Sequence, residues 1–342
     1  MYREINFLDS SGDTKKDKKS LLKLFFLVVF VVALGIGGLK LGLAYNEFTV
    51  TSDNNQPFWN KITGILSLAS EKTDPTPIPD PNRLNILVMG MRGMDDPDSA
   101  QGGMLTDTIL LLSFDKTTKK SSLVSIPRDL YVKFNKNKTD KVNAVYEYGY
   151  ARKEGIEFSK RVYSIVTGVH IDKVVVFDFS SFKKIIDELD GIDIVLDKPF
   201  IEKSQWGSEF NLPAGLNHLD GETALYYARS RYSTSDFDRS RRQQQIIEAI
   251  KTKALAINIA SDPIKALALA NLIRKDVATD INLFNLQEMI QLFQELKSSQ
   301  PKHYVISTDN LVYQTYIDSI YVLLPKNESF KEIQDMFQNI LK

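Results

Sequence analysis

The chain has 342 residues in which 43 Lys and Arg balance 43 Asp and Glu, so the basic surplus that a general nucleic-acid binder needs is missing. Zero cysteines exclude disulfides and thiolate metal sites, and three scattered histidines (His170, His218, His303) do not make a histidine-rich one. At 43% hydrophobic and 25% charged, the composition is that of a globular chain with an added apolar segment, and its chemistry must rest on carboxylates, guanidiniums, amides and hydroxyls.

That apolar segment comes first. "LFFLVVFVVALGIGGL", Leu24 to Leu39, carries no charge, and with Leu41, Leu43 and Tyr45 it reaches the roughly 20 residues of a bilayer crossing. Lys15, Lys16, Lys18 and Lys19 precede it, and little basic charge follows it directly. The positive-inside rule then predicts a cytoplasmic tail over 1–20, a transmembrane helix over 21–45 and an extracytoplasmic remainder. A cleaved signal peptide is the alternative, but its apolar core is ordinarily shorter, about 7 to 15 residues. The span reads as an uncleaved anchor in the cell membrane. "TDPTPIPDPN" then places four prolines in ten residues, an extended end to a linker over 46–82, with the globular domain over 83–342.

From Arg83 the pattern alternates. "LNILVMG" reads as a buried strand feeding a polar loop, "MRGMDDPDSAQGG", and "DTILLLSF" and "SSLVSIP" as neighbouring strands. "KVNAVYEYGYARKEG" and "FSKRVYSIVTG" have helical character, the second ending at Gly168. "KVVVFDF" is a strand, "SSFKKIIDELDG" a capped helix with Gly191 at its end, and "IDIVL" a further strand. "HLDGETALYYAR" is a short helix capped by Asp220. A long helix runs from its cap at Asp236 to about Ile257. Beyond it, "DPIKALALANLIRK" and "NLQEMIQLFQELK" read as helices, and "HYVIS" and "SIYVLL" as strands. The fold class is α/β, a central mixed sheet covered by helices on both faces.

"SDFDRSRRQQQ" opens the long helix. Stepping back from Ile246 by three, four and seven residues gives Gln243, Arg242 and Arg239, which therefore share its inward face, whereas Arg241 falls off that stripe. Inward arginines near a helix N-terminus suit a phosphate or pyrophosphate. The bland alternative is a surface cluster in which Arg239 and Arg242 pair with Asp236 and Asp238. Arg229 and Arg231 in "YARSRY", and Arg128 after a strand in "SIPRDLY", favour the anion site, since ligands of α/β sheets bind at strand ends. Asp107 in "LTDT" is either a turn residue or a carboxylate for Mg²⁺, which takes one or two carboxylates plus substrate phosphates.

The ordered series "LNILVMG", "LTDTILLLSFDKTTKKSSLVSIPRDLYV", "DKVNAVYEYG", "HLDGETALYYARSR" and "DFDRSRRQQQ" resembles the LytR-CpsA-Psr family of membrane-anchored cell-wall glycopolymer transferases, over roughly Arg83 to Ile257. The resemblance implies a phosphotransferase that moves a glycan from a polyprenyl-pyrophosphate carrier to peptidoglycan through a phosphodiester. Asp107 matches the family's metal-associated carboxylate, with Mg²⁺ as cofactor, and Arg128, Arg229, Arg231, Arg239, Arg242 and Gln243 match its pyrophosphate-binding set. One departure stands out. Many members carry an Asp about two residues after the first strand's closing Gly, whereas Gly90 is followed here by Met91 and Arg92, leaving Asp95, Asp96 or Asp98 to replace it.

Phosphoryl transfer needs neutralised oxygens and in-line positioning more than covalent help from the protein. The arginines would clamp the pyrophosphate and the lipid would need an apolar slot. Asp236 would either cap its helix or take the acceptor hydroxyl's proton. The expected partners are a lipid-linked glycan, a peptidoglycan acceptor and the membrane, with no nucleic acid. The rival reading is a non-catalytic binder of polyprenyl pyrophosphate or anionic wall polymer. A transcriptional regulator would need a DNA-binding module, for which a tail of about 20 residues is too short.

Overall fold

A computed structural model describes residues 76–342 apart from 136–137, 258–262, 283–284, 286–294, 296 and 298–299. The chain divides into two units, Met1–Glu71 and Lys72–Lys342, and every described residue belongs to the second. The expected tail, transmembrane span and most of the linker therefore lie outside the described residues, as does most of the helix expected at "NLQEMIQLFQELK". Among the described residues no helix is long and apolar enough to cross a membrane.

β1 (Arg83–Met91) starts at the expected boundary and is buried along most of its length, because it lies in the middle of its sheet. β2 (Thr106–Asp115) and β3 (Ser121–Ser125) follow as an antiparallel meander, then a small ribbon of β4 (Tyr131–Asn135) and β5 (Lys138–Lys141). Next come α1 (Val145–Tyr150) and α2 (Gly155–Thr167), the latter closed by Gly168 at φ 69°, a left-handed conformation that glycine enters freely. β6 (Lys173–Phe177) leads into α3 (Phe179–Glu188), whose start is fixed by a capping box between Asp178 and Ser181.

β7 (Ile192–Leu196) alternates buried Ile192, Ile194 and Leu196 with exposed Asp193 and Val195, as a half-buried strand must. After the short β8 (Phe200–Glu202) and β9 (Phe210–Leu212), β10 (Gly215–Leu219) pairs with β7. Two helices follow: α4 (Gly221–Arg229), capped by Asp220 as expected, and α5 (Asp236–Ala256). The chain ends with α6 (Pro263–Asp276), β11 (Ala278–Thr279), β12 (Pro301–Val305), the hairpin of β13 (Val312–Ile317) and β14 (Ile320–Pro325), and α7 (Lys331–Asn339).

The main sheet has the order β11-β6-β1-β2-β3-β12, mixed as expected. One face, with Leu87, Met89, Leu111, Val124 and Val174, packs under the helices through Val162, Tyr163 and Phe337. The other, with Leu84, Ile86, Leu112, Phe114 and Val175, is covered from the side of α3, α5 and α6. Helices thus cover both faces, and the tail beyond α5 completes this domain, because β12 pairs in parallel with β3.

Candidate functional site

β1, β3 and β6 run parallel and β2 runs against them, so the C-terminal ends of the first three and the start of β2 meet at one sheet edge. Four side chains are delivered there: Arg92 just past β1, Asp107 near the start of β2, Arg128 past β3 and Phe179 after β6. Asp107 owes its direction to a register shift. Gly90 pairs with Thr108 but Met91 pairs with Thr106, so Asp107 is the extra residue of a β-bulge, which turns a side chain away from the regular pleat.

These residues border a cavity of about 540 Å³ lined by six cations (Arg92, Arg128, Lys141, Arg229, Arg231, Arg239) and three carboxylates (Asp98, Asp107, Asp129), together with Gln243. In a chain of zero net charge this is a local concentration of positive charge suited to an anion. Arg128 stands at its centre. Its Nη1 donates to Asp107 Oδ1 at 2.8 Å, its Nη2 lies 3.4 Å from Asp236 Oδ2 and its Nε 3.5 Å from Asp129 Oδ2. Although burial opposes the charged form, Asp107, Asp236 and Asp129 together hold the Arg128 guanidinium above its ordinary value.

The arginines of α4 and α5 divide by position. Arg239 is buried and grips Asp236 through both η nitrogens at 3.2 and 3.3 Å, and burial followed by the charge of Arg128 pushes its guanidinium below the ordinary value. The Nε atoms of Arg128 and Arg239 are buried and make no hydrogen bond among the described residues. Arg229 lies between two rings, 4.4 Å from the Phe179 centroid and 5.1 Å from Trp206, with burial and then the neighbouring Arg92 lowering its pKa. Arg231 reaches the cavity mouth from an exposed position.

Two sequence expectations change here. Asp236 is not the cap of α5. Ser235 is, with its hydroxyl accepting from the Asp238 N–H while Asp238 accepts from the Ser235 N–H in a capping box, so Asp236 becomes the first helical residue and turns to Arg128 and Arg239. Arg242 shares the inward stripe but does not line the cavity. Its nitrogens donate to the carbonyls of Tyr227 and Ser230 and to Thr234 Oγ1, and its guanidinium lies 4.7 Å from the Phe200 ring. It secures the turn that carries Arg229 and Arg231. Arg241, as expected, is exposed and pairs with Asp238 at 2.6 Å. The surface-cluster alternative thus describes Arg241, while Arg239 pairs with Asp236 from inside the cavity.

The carboxylates near the expected Mg²⁺ position are each paired with an arginine. Among the described residues no group of three or more His, Asp or Glu is placed to hold a metal ion. Asp107 is engaged by Arg128, and Asp96 and Asp98 are both engaged by Arg92 Nη1, at 3.1 and 3.0 Å. Asp95 is exposed and outside the cavity. At the position where a second carboxylate was expected stands a guanidinium.

Several wall residues carry no periodic signal in the sequence. Gln205 accepts from the Arg231 N–H at 2.6 Å and donates to the Arg229 carbonyl at 3.0 Å, and Trp206 Nε1 donates to Ser230 Oγ at 3.0 Å, so the loop between β8 and β9 braces the arginine turn. The available hint was that Trp206 is one of only two tryptophans.

Two further cavities adjoin. One of about 390 Å³ is apolar, set between the sheet face of Ile86, Val88, Leu112 and Val175 and the helical residues Ile185, Ile250, Ala254 and Ile273, and it shares Phe177, Phe182 and Ile247 with the cationic cavity. Another, of about 460 Å³, is bordered by Asp107, Arg128, Asp129, Lys141, Arg239 and Gln243, which also line the cationic cavity. Asp236, Ser240 and Tyr321 also line this third space.

Fold and site together define an α/β domain with an arginine-rich anion cavity at the strand ends, next to an apolar slot. The chain belongs to the LytR_cpsA_psr family, whose model matches residues 62–339. It is 30% identical over 297 residues to the polyisoprenyl-teichoic acid–peptidoglycan teichoic acid transferase TagV of Bacillus subtilis (strain 168), covering 84% of this chain and 70% of TagV. It is also 30% identical over 209 residues to the regulatory protein MsrR of Staphylococcus aureus (strain COL), covering 60% of this chain but only 58% of MsrR. The crystal structure of B. subtilis TagV superposes with a TM-score of 0.59 at 28% identity, covering 77% of this chain and 98% of that one.

Proposed function

We propose that the protein is a membrane-anchored phosphotransferase that moves a glycopolymer from a polyprenyl-pyrophosphate carrier to peptidoglycan through a phosphodiester. The observation that carries this reading is that the cationic cavity and the apolar slot adjoin, both lined by Phe177, Phe182 and Ile247. A ligand that fills both compartments is an amphiphile with an anionic head, as a lipid pyrophosphate is. TagV, a polyisoprenyl-teichoic acid–peptidoglycan teichoic acid transferase, supports the same class of reaction.

In this reading Arg128, Arg229, Arg231 and Arg239 hold the pyrophosphate oxygens, Gln243 adds an amide donor, and the lipid tail occupies the slot. In-line displacement requires the acceptor to approach opposite the leaving group, and the third space, lined by Arg128 and Asp236, is the one assigned to that acceptor. The acceptor hydroxyl attacks the phosphorus bearing the glycan. The new P–O bond forms as the bond to polyprenyl phosphate breaks, and the hydroxyl proton passes to Asp236, which Ser235 has released from capping. The arginines balance the charge that collects on the departing phosphate. The span over 21–45 anchors the chain with its N-terminus in the cytoplasm and the domain outside, beside lipid carrier and wall.

The test is product analysis. The full chain incubated with polyprenyl-pyrophosphate-linked glycan and peptidoglycan is expected to yield wall-attached glycan and free polyprenyl phosphate in equal amounts. Saturable binding of the donor with no product would return the protein to the class of non-catalytic binders.

A further inference from the structure

Arg92 occupies the corner of the cationic cavity beside Phe179, next to Arg229. The turn presenting it is held at both ends, by the Gly93 N–H donating to the Gly103 carbonyl at 2.8 Å and by the Arg92 carbonyl accepting from the Phe179 N–H at 3.3 Å. Gly93 sits at φ 97°, with Asp178 2.9 Å from where a Cβ would stand, so the turn is tight and glycine-dependent. The Arg92 side chain is only 18% exposed. Its Cζ lies 5.8 Å from the centroid of the Phe179 ring, the ring that also carries Arg229, and Asp96 and Asp98 both engage the single nitrogen Nη1. Among the described residues its Nε and Nη2 make no hydrogen bond.

The carboxylates of the site are engaged in a matching way. Asp96 and Asp98 face Arg92, Asp107 faces Arg128, Asp129 faces Lys141, and Asp236 faces Arg128 and Arg239. A hard divalent cation needs free carboxylate oxygens and near-octahedral geometry. Here every one of these carboxylates already holds a guanidinium or ammonium on at least one oxygen, so a cation taking the remaining oxygen of Asp96, Asp98 or Asp107 would stand directly beside a positive group and among the other arginines.

The geometry points to a diphosphate seat that works without a resident divalent cation, with Arg92 supplying through its free N–H groups the positive charge a metal would otherwise bring. This rests on the reading of the cavity as a pyrophosphate site. Arg92 and Arg229 both lie over the Phe179 ring, which places two planar forks at one corner, where they can take different oxygens of the same group.

The test uses the full chain in detergent micelles and geranylgeranyl diphosphate as the probe, by calorimetric titration in EDTA and in excess Mg²⁺, with thermal unfolding under Mg²⁺ titration as a second readout. The wild-type dissociation constant is expected to agree within about twofold in the two buffers, and Mg²⁺ alone to leave the melting temperature unchanged. Arg92→Asp is expected to weaken binding about tenfold or more in EDTA, to recover in Mg²⁺ and to acquire a Mg²⁺-dependent melting shift. Arg92→Gln, which removes the charge without adding a carboxylate, should show the same loss with no recovery and keeps the test open if the aspartate variant misfolds. Wild-type binding that vanishes in EDTA and returns with Mg²⁺ overturns the inference. Binding in neither buffer would overturn the pyrophosphate reading itself, and this inference with it.

Discussion

Asp107 and Arg128 meet at 2.8 Å, 21 residues apart in sequence, because a bulge turns the first out of its strand and the chain leaving β3 brings the second across the same edge. Asp107 is 38% exposed in this pair, so its removal should cost stability no more than about 1 kcal/mol, or a few degrees of melting temperature. Its effect on transfer is expected to be much larger, because Arg128 loses the partner that aims it. Asp107→Asn should lower the transfer rate about tenfold or more while the melting curve barely moves. Parallel losses in both assays would reduce Asp107 to a structural residue.

Arg239 and Arg241 are two residues apart and should behave oppositely. Arg239→Lys keeps the charge but loses the planar fork inside the cavity, and donor turnover is expected to drop substantially. Arg241 is 61% exposed beside Asp238, so Arg241→Lys and even Arg241→Ala should leave turnover nearly unchanged. Turnover of a lipid-pyrophosphate glycan by the variants measures the contrast, and equal activity of all of them would remove Arg239 from the site.

Arg242→Lys should fail differently. A lysine cannot reach the Tyr227 and Ser230 carbonyls and Thr234 together, and hydrogen bonds to charged groups contribute about 1.5–3 kcal/mol each where they are lost. The expected outcome is a fall in melting temperature of several degrees, with faster proteolysis between Arg229 and Ser235. A stable but inactive variant would instead place Arg242 on the ligand.

Asp172 offers a pH test away from the cavity. Burial raises its pKa, although the Asn85 N–H, His170, Lys116 and Lys160 pull the other way. The folded state then binds more protons than the unfolded one above the ordinary aspartate value of about 4, so stability falls as pH rises from there through the raised pKa and the cost persists at neutrality. Asp172→Asn, which can still accept from Asn85, should therefore raise the melting temperature at pH 7, with the gain gone below about pH 4. A gain that grew toward acid pH would contradict the assignment.

Protease added to intact protoplasts should degrade the domain and spare the tail and span, given the lysines at 15, 16, 18 and 19 ahead of the apolar run. Protection of the domain would reverse the proposed orientation.

Helix periodicity correctly separated Arg241 from Arg239 and Arg242, but it names a face and not what lies opposite. On the same inward face Gln243 and Ile246 line the cavity while Arg242 turns to the carbonyls of the arginine turn, which is why Arg242 was grouped with the ligand set. The Ser235 cap was legible in principle, since Ser followed three residues later by Asp238 forms a capping box, whereas the third residue after Asp236 is Arg239. The bulge at Asp107 was not, because strand register depends on the partner strand. Nor were Gln205 and Trp206, which come from an aperiodic loop and reach the site through tertiary hydrogen bonds alone.

The floor shared by Phe177, Phe182 and Ile247 also sets what the pocket turns away. A nucleotide or other water-soluble diphosphate can satisfy the guanidiniums but leaves the adjoining greasy compartment wet, forfeiting the free energy of drying it. Selection then rests on solvent exclusion rather than on any added contact: two diphosphates with identical heads are sorted by their tails, and abundant metabolites of the wrong polarity are weak competitors without a single residue having been placed to repel them.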